Sequence, residues 1–243
     1  MHIALSVQFG RDDQLIFAQQ LGVQHVMAQV DCYDERTLES LRNRVQRTGL
    51  KLAGIEGVPL VRVEALQAIV RTAEAVGIDL ISCTRPISGS HPQPRPTGRG
   101  NALIPTGADP VSGLSAEETS TVIDAARDAD LRLAWTGSNS PVGMGMDLAL
   151  DHLGKDPTTK LAALKAPVFI ARARNTRRGE PCFLDEGDCD LPRCISALKA
   201  HSFDGPLLAH YPLGMVGDTD WRHKARAYDL GYLKAVLQAL GVH

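Results

Sequence analysis

The sequence predicts an α/β fold, namely a (β/α) TIM-type barrel of parallel strands in which one βα unit is missing or degenerate. Short apolar runs alternate with amphipathic helical segments along the whole chain, and Gly22, Gly49 and Gly77 each end a helical segment before the next run. About seven such units suit a barrel of this length better than a Rossmann sheet. No Gly-x-Gly-x-x-Gly motif follows the first strand.

The elements follow one another regularly, and no linker interrupts them, so we expect one domain over residues 1–243. Each apolar run is followed by a loop and then by residues with helical periodicity. The predicted strands are HIALSV, VQHVMAQV, LKLAGIEGV, IDLISCT, LRLAW, APVFIARA and GPLLAHY, and the clearest helices span 34–48, 63–76 and 223–240.

Two segments are too long for ordinary βα connections. Residues 86–114 are rich in Pro and Gly, and we interpret them as a lid over the functional site. Residues 175–190, NTRRGEPCFLDEGDCD, follow the strand VFIARA and should lie over the same mouth, unless they form only a solvated charged loop.

Composition narrows the possible partners. The formal net charge is −2 and the pI is about 6.4, which does not favour binding to nucleic acid or to an anionic membrane. No apolar run approaches the roughly 20 residues of a membrane span, and the first residues do not resemble a signal peptide. We therefore expect a cytoplasmic protein with a small soluble partner. The five cysteines are odd in number and lack zinc-site spacing, so we expect reduced thiols.

The carboxyl ends of barrel strands carry the chemistry of such folds. His210 ends the run GPLLAH, where Pro212 stops the strand. Its imidazole could be a catalytic group, a metal ligand or a packed structural histidine. The full set of strand-end candidates is Gln8, Asp31, Glu56, Thr84, Arg85, Trp135, Thr136, Arg172, Arg174 and His210.

Several segments in order resemble the mannonate dehydratase family, a branch of the xylose-isomerase-like TIM barrels. They are GIEGVP, PTGRGNA, MGMDLALDHLGKD, ARARN, LLAHYP and RAYDLGY. The resemblance implies a hydro-lyase that removes water from a sugar acid. It also implies a manganese or magnesium ion held by two histidines, a cysteine and an aspartate.

The metal ligands of that family are replaced in this chain. The histidine of one strand falls on Arg172, the aspartate of the last strand falls on Ala209, and the cysteine falls on Trp135. If LRLAW corresponds instead to the strand that bears the second histidine, that position becomes Thr136. A guanidinium would repel a dication, so we expect a degenerate metal site, no bound metal and no other cofactor.

The replacements suggest a different way to handle negative charge. Arg172 and Arg174 alternate on one strand, so both would face the barrel interior and hold an anion. Arg85 and Arg99 would approach from the lid. The neighbouring arginines should lower the pKa of His210 and keep it neutral, as a general base must be.

Other side chains complete the predicted site. Glu56 is expected to be either an acid/base group or the ion-pair partner of an inward arginine. Trp135 would stack on a substrate or fill the volume that the metal leaves, and Tyr211 and His223 would contact the substrate.

The leading functional prediction is a lyase or isomerase that abstracts an α-proton from a small anionic substrate, a sugar acid or another hydroxy or keto acid. One alternative is a non-catalytic sugar-acid-binding or regulatory homologue. Another is a metal-dependent dehydratase with relocated ligands such as His210, Glu56 and Asp185. Because a missing strand would expose sheet edges, a homodimer is also expected.

Overall fold

Strands and helices alternate in the order that the sequence predicts. The computed structural model describes residues 1–60, 62–84, 93–97, 100–104, 114–136, 141–210 and 213–242. The strands are β1 (His2–Gln8), β2 (His25–Gln29), β3 (Lys51–Pro59), β4 (Leu80–Thr84), β5 (Gln93–Thr97), β6 (Gly100–Ile104), β7 (Arg132–Thr136), β8 (Gly145–Ala149), β9 (Val168–Ala173), β10 (Asn175–Arg177), β11 (Glu180–Cys182), β12 (Pro206–Ala209) and β13 (Leu213–Gly214). The helices are α1 (Asp12–Gln20), α2 (Glu35–Arg47), α3 (Val63–Val76), α4 (Ala116–Asp128), α5 (Pro157–Ala162), α6 (Leu191–Ala200) and α7 (His223–Ala239), with a 3₁₀ turn at Leu150–Leu153.

Eight parallel strands close into a barrel in the order β1-β12-β9-β8-β7-β4-β3-β2, which confirms the predicted fold class. The count of seven strands was one short, because β8 supplies the eighth. The degenerate unit is its connection to β7, in which the described residues 141–144 form no helix. A closed barrel has no free edge, so the edge-strand argument for a homodimer no longer holds.

The barrel interior has an apolar floor. Ala4, Met27, Leu80, Ala134, Ile170 and Leu208 form a small buried cluster inside the strands. Because side chains alternate along a strand, the residue two positions further on also points inward, nearer the carboxyl end. On several strands that residue is polar, so a polar layer lies above the apolar floor.

Local signals fix the helices that surround the barrel. Ser115 and Glu118 form a reciprocal capping box at the start of α4. Asp190 accepts a hydrogen bond from the backbone of Arg193 at 3.1 Å, so it caps α6 as the sequence predicts. Among the helices that the structure describes, none combines the length and apolar character that a membrane crossing requires.

The predicted lid is only partly described. The backbones of β5 and β6 form an antiparallel hairpin, and β6 also pairs with β13, which follows β12 closely. The hairpin is thus tied to the chain that leaves the carboxyl end of the barrel. Arg85, Arg99 and Tyr211, which were predicted to contact the substrate, lie outside the described residues.

Two glycine-to-alanine substitutions, one at a crowded site and one at an open site, test the barrel packing. A Cβ atom at Gly54, in β3, would lie 2.5 Å from the carbonyl oxygen of Leu80 in β4, and the backbone φ is +156°. We expect Gly54→Ala to lower the free energy of unfolding by about 3 kcal/mol. Gly231→Ala is the control, since a Cβ there meets no atom within 4 Å and α7 should gain about 0.5–1 kcal/mol. Urea unfolding measures the free energy of unfolding of both variants. Equal changes in the two variants would contradict the close packing at Gly54.

Candidate functional site

A polar layer lies at the carboxyl end of the barrel, directly above the apolar floor. Each member occupies an inward position on a different strand, two residues beyond an inward apolar residue wherever the alternation is regular. Its members are Ser6 on β1, Glu56 on β3, Ser82 on β4, Thr136 on β7, Asp147 on β8 and Arg172 on β9.

Arg172 crosses the barrel and joins two buried carboxylates. Its Nε and Nη2 atoms each donate to one oxygen of Asp147, both at 2.7 Å, and Nη2 also donates to Glu56 Oε2 at 2.7 Å. Three strands separate β9 from β3 in either direction around the barrel, so Arg172 and Glu56 come from opposite walls. The side chain of Arg172 is 16% exposed, whereas those of Glu56 and Asp147 are 2% and 0% exposed.

Hydroxyl groups complete the coordination of both carboxylates. Ser82 Oγ donates to Asp147 Oδ2 at 2.6 Å, and Thr136 Oγ1 donates to the same oxygen at 3.2 Å. Ser6 donates to Glu56 Oε1. Each side-chain oxygen of Glu56 and Asp147 therefore has a donor, which is what burial of charge requires.

The ion pairs keep the buried groups charged. Burial alone would raise the pKa of Asp147, but the attraction of Arg172 and the hydroxyl hydrogen bonds outweigh it, so the pKa lies below its usual value. Burial alone would lower the pKa of Arg172, and the two carboxylates more than reverse this. The cluster is thus two carboxylates and one guanidinium, with a net charge of −1.

The expected cationic mouth is not what the described residues form. Arg172 was predicted to be free to hold an anion, but its charge is already matched by Glu56 and Asp147. Arg174 was given the same role, and its Nε donates to Asp151 Oδ2 at 2.7 Å. Three carboxylates therefore face two guanidiniums, because the opposite wall and the 3₁₀ turn supply partners that strand alternation alone does not reveal. The interpretation of Glu56 as an ion-pair partner agrees with the structure.

His210 lies at the mouth, immediately after β12. Its backbone nitrogen donates to Ala173 O at 2.9 Å, which holds the residue beside the end of β9. The residue retains an exposed face, yet it is surrounded closely enough that burial lowers the imidazole pKa to about 4. The charges of Arg172 and Arg174 act in the same direction, as expected from the sequence. His210 is therefore neutral at pH 7.

One predicted contact, Trp135, points away from the site, and another, His223, has local partners. Trp135 packs in the outer apolar layer between the strands and the helices, and its neighbour Thr136 is the residue that points inward. The prediction that Trp135 faces the substrate was therefore wrong by one position in the strand alternation. His223 Nδ1 lies 3.1 Å from Asp218 Oδ1 and 3.0 Å from Thr219 Oγ1 at the start of α7, so this nitrogen is engaged locally.

Sequence reasoning missed Asp147, Ser82 and Ser6. Asp147 escaped notice because β8 was not recognised as a strand. The available signal was a single acidic residue within the apolar run MGMDLAL. A charge inside such a run is buried, and a buried charge requires a partner.

The residues present do not fit a divalent metal site of the kind that the resemblance implies. A guanidinium stands between the two buried carboxylates and uses the lone pairs that a cation would need. Among the described residues, no group of three His, Cys, Asp or Glu side chains could hold a metal ion. The relocated ligands His210, Glu56 and Asp185 are not brought together, and Asp185 instead accepts a hydrogen bond from Tyr228 at 2.7 Å.

Several solved structures with low sequence identity share the xylose-isomerase-like barrel fold of this chain. A xylose isomerase domain protein from Planctomyces limnophilus is 15% identical with a TM-score of 0.67, covering 98% of this chain and 97% of that one. An L-ribulose 3-epimerase is 13% identical with a TM-score of 0.66, covering 98% and 95%. A D-psicose 3-epimerase from Clostridium cellulolyticum H10, solved with D-tagatose, is 10% identical with a TM-score of 0.64, covering 98% and 99%.

These similarities support the fold at identities too low to carry the activity. No family model and no curated protein matches the sequence. The predicted xylose-isomerase-like barrel fold is confirmed, whereas membership of the mannonate dehydratase family stays a prediction.

The central ion-pair cluster should dominate the stability of the barrel mouth. We expect Arg172→Met to lower the free energy of unfolding by about 3–5 kcal/mol at pH 7, because it leaves two buried carboxylates unpaired. The loss should shrink at acidic pH as Asp147, whose pKa Arg172 holds low, becomes protonated. Arg127→Met, which breaks an exposed pair with Asp124, is the control and should cost about 1 kcal/mol or less. Urea unfolding at two pH values measures these losses. Similar losses for both variants would contradict the predicted contribution of the cluster to stability.

The low pKa of His210 makes stability depend on pH. In the unfolded chain a histidine titrates near pH 6.5, whereas the folded protein holds the pKa of His210 at about 4. Between these values the unfolded state binds more protons, so the stabilising contribution is complete above pH 6.5 and disappears as the pH falls towards 4. His2, whose pKa is also about 4, adds to the effect.

We expect His210→Gln to flatten this acid dependence. Free energies of unfolding measured from pH 7 to pH 4 should fall less steeply in the variant than in the parent protein. His201→Gln, at an exposed site after α6, should leave the slope unchanged. Parallel curves for His210→Gln and the parent protein would contradict the low pKa.

Proposed function

We propose that this protein is a sugar isomerase or epimerase that moves a proton at the carbon next to a carbonyl group without using a metal ion. The observation that carries the proposal is the placement of Arg172. This cation is fixed inside the barrel by carboxylates on two other strands and lies close enough to His210 to lower its pKa. A proton acceptor and a fixed positive charge are the two groups that enolisation needs.

Arg172 would stabilise the oxygen that becomes negative as the proton leaves. Its Nε and Nη2 atoms are engaged, but within the described residues Nη1 has no hydrogen-bond acceptor, and the side chain keeps some exposure. Nη1 can therefore donate to a substrate carbonyl. Glu56 and Asp147 act as positioning residues, because they hold the guanidinium in place without occupying that edge.

His210 would remove and return the proton. Its neutral imidazole has a free lone pair at pH 7, although a pKa of about 4 makes it a weak base. Such a base suffices only if the enolate oxygen is strongly stabilised, so the two roles depend on each other. The proposal assigns catalysis to the pair rather than to either residue alone.

The charges at the mouth favour a neutral substrate. Glu56, Asp147 and Asp151 outnumber Arg172 and Arg174, so these five groups together carry a net charge of −1. A neutral ketose or aldose fits that charge better than a sugar acid does. The two named epimerases of the same fold are, by their names, proteins that act on L-ribulose and D-psicose.

A sugar-acid lyase of the mannonate dehydratase kind is the second candidate. It is favoured by Arg174, whose Nε alone is engaged by Asp151, so that its terminal nitrogens have no acceptor among the described residues. A substrate carboxylate could bind there in a bidentate manner.

Proton exchange with solvent tests the proposal directly. The purified protein is incubated in deuterated water with a panel of ketoses, aldoses and aldonic acids, and proton NMR follows the hydrogen next to the carbonyl. We expect exchange and product formation with a neutral sugar, and no change on adding a chelator. His210→Gln should slow the exchange by about 100-fold or more, and the surface variant His201→Gln should not.

The other possible outcomes would favour a different function or contradict part of the proposal. Dehydration of an aldonic acid alone would favour the lyase, and binding without exchange would favour a non-catalytic homologue. Loss of exchange on chelation would contradict the metal-free mechanism. Unchanged exchange in His210→Gln would remove this residue from catalysis.

A further inference from the structure

Two thiols lie together beside the rim of the mouth. Cys189 directly precedes Asp190, the residue that caps α6, and Cys194 lies in the first turns of that helix. Their Sγ atoms are 3.6 Å apart. A disulfide bond is about 2.05 Å long, so the two atoms need to approach by only about 1.5 Å.

The other cysteines have no such arrangement. All five cysteines lie in the described part of the chain, and all are free thiols. Cys83 and Cys182 are buried, and exposed Cys32 donates to Asp34 at 2.7 Å. Cys189 is partly exposed, which a reagent from solution requires, while Cys194 is buried behind it. This arrangement gives one thiol the position of an attacking group and the other that of a resolving group.

The electrostatics agree with this division. A hydrogen bond from Cys194 lowers the pKa of Cys189, although burial opposes it. The same contact and burial raise the pKa of Cys194. The thiolate therefore forms first on the more accessible sulfur.

We propose that Cys189 and Cys194 form a reversible redox-modification site that is oxidised by small disulfides such as oxidised glutathione. The thiolate of Cys189 attacks one sulfur of the small disulfide and releases one thiolate, leaving a mixed disulfide. Cys194 then loses its proton and attacks Cys189 Sγ, which releases the second thiolate. Two protein thiols are oxidised, and one small disulfide is reduced to two thiols.

The site is connected to the mouth through short backbone contacts. Both sulfurs lie within hydrogen-bond distance of the carbonyl oxygen of Leu150, at 3.7 and 3.8 Å. Leu150 precedes Asp151, the partner of Arg174. Asn175, which follows Arg174, binds the backbone of Cys189 at both its nitrogen and its oxygen. Oxidation removes the S–H groups that can donate to the carbonyl oxygen of Leu150, at the base of the Asp151–Arg174 pair.

Peptide mapping tests the proposal without any substrate, so its outcome is independent of the proposed reaction. The folded protein is equilibrated with mixtures of reduced and oxidised glutathione, quenched with acid, alkylated and digested with trypsin. Arg193 lies between the two cysteines, so cleavage after it separates them. We expect peptide 179–193 to be linked to peptide 194–199, and dithiothreitol to reverse the link.

Variants distinguish the order of events. Cys194→Ser should stop the reaction at a mixed disulfide of glutathione with Cys189, and Cys189→Ser should leave Cys194 unmodified. Cys32→Ser is the control and should form the link as the parent protein does. Pairing of Cys189 with Cys182, a link that forms only in urea, or no link at any ratio would overturn the proposal.

Discussion

The barrel mouth depends on one guanidinium that reaches from one wall to the other. Buried charges are tolerated only when they are paired and fully hydrogen-bonded. Arg172 meets that condition for Glu56 and Asp147 together, and the hydroxyls of Ser6, Ser82 and Thr136 complete it. Because the partners come from opposite sides of the barrel, removing the cation would leave two carboxylates facing each other over an apolar floor. The same contacts that stabilise the mouth therefore fix its geometry.

An arginine in this position differs from a metal ion in ways that bear on the chemistry. Its charge is spread over a planar group with donors in fixed directions, and it stays protonated at all relevant pH values. It cannot take up a substrate oxygen by exchanging a ligand, as a metal ion can. It can instead offer an uncommitted N–H group, which suits an interaction with a carbonyl oxygen that becomes more negative during proton removal.

The fold was largely predictable from sequence, whereas the site was predictable only in part. Strands that alternate with helices were found, but β8 was missed because the described part of its connection from β7 contains no helix. Alternation correctly placed Arg172 inside, and Glu56 was recognised as a possible ion-pair partner. Trp135 was misplaced because a shift of one residue exchanges the two faces of a strand. The charge of the mouth was misjudged because ion pairing across a barrel depends on closure, which no local pattern reveals.

The function must follow from this polar layer and not from the barrel. Proteins with 10–15% identity share the fold, and at that distance the fold constrains where a site lies but not what it does. The position of the site is common to such barrels, because the strand ends converge at the carboxyl end of each of them. The side chains of the site are particular to this chain. They are carboxylates that hold a cation, a histidine kept neutral beside it, and ion pairs with an excess negative charge that disfavours anions. On the function proposed above, neutral sugars with an enolisable carbonyl group would satisfy all three conditions at once.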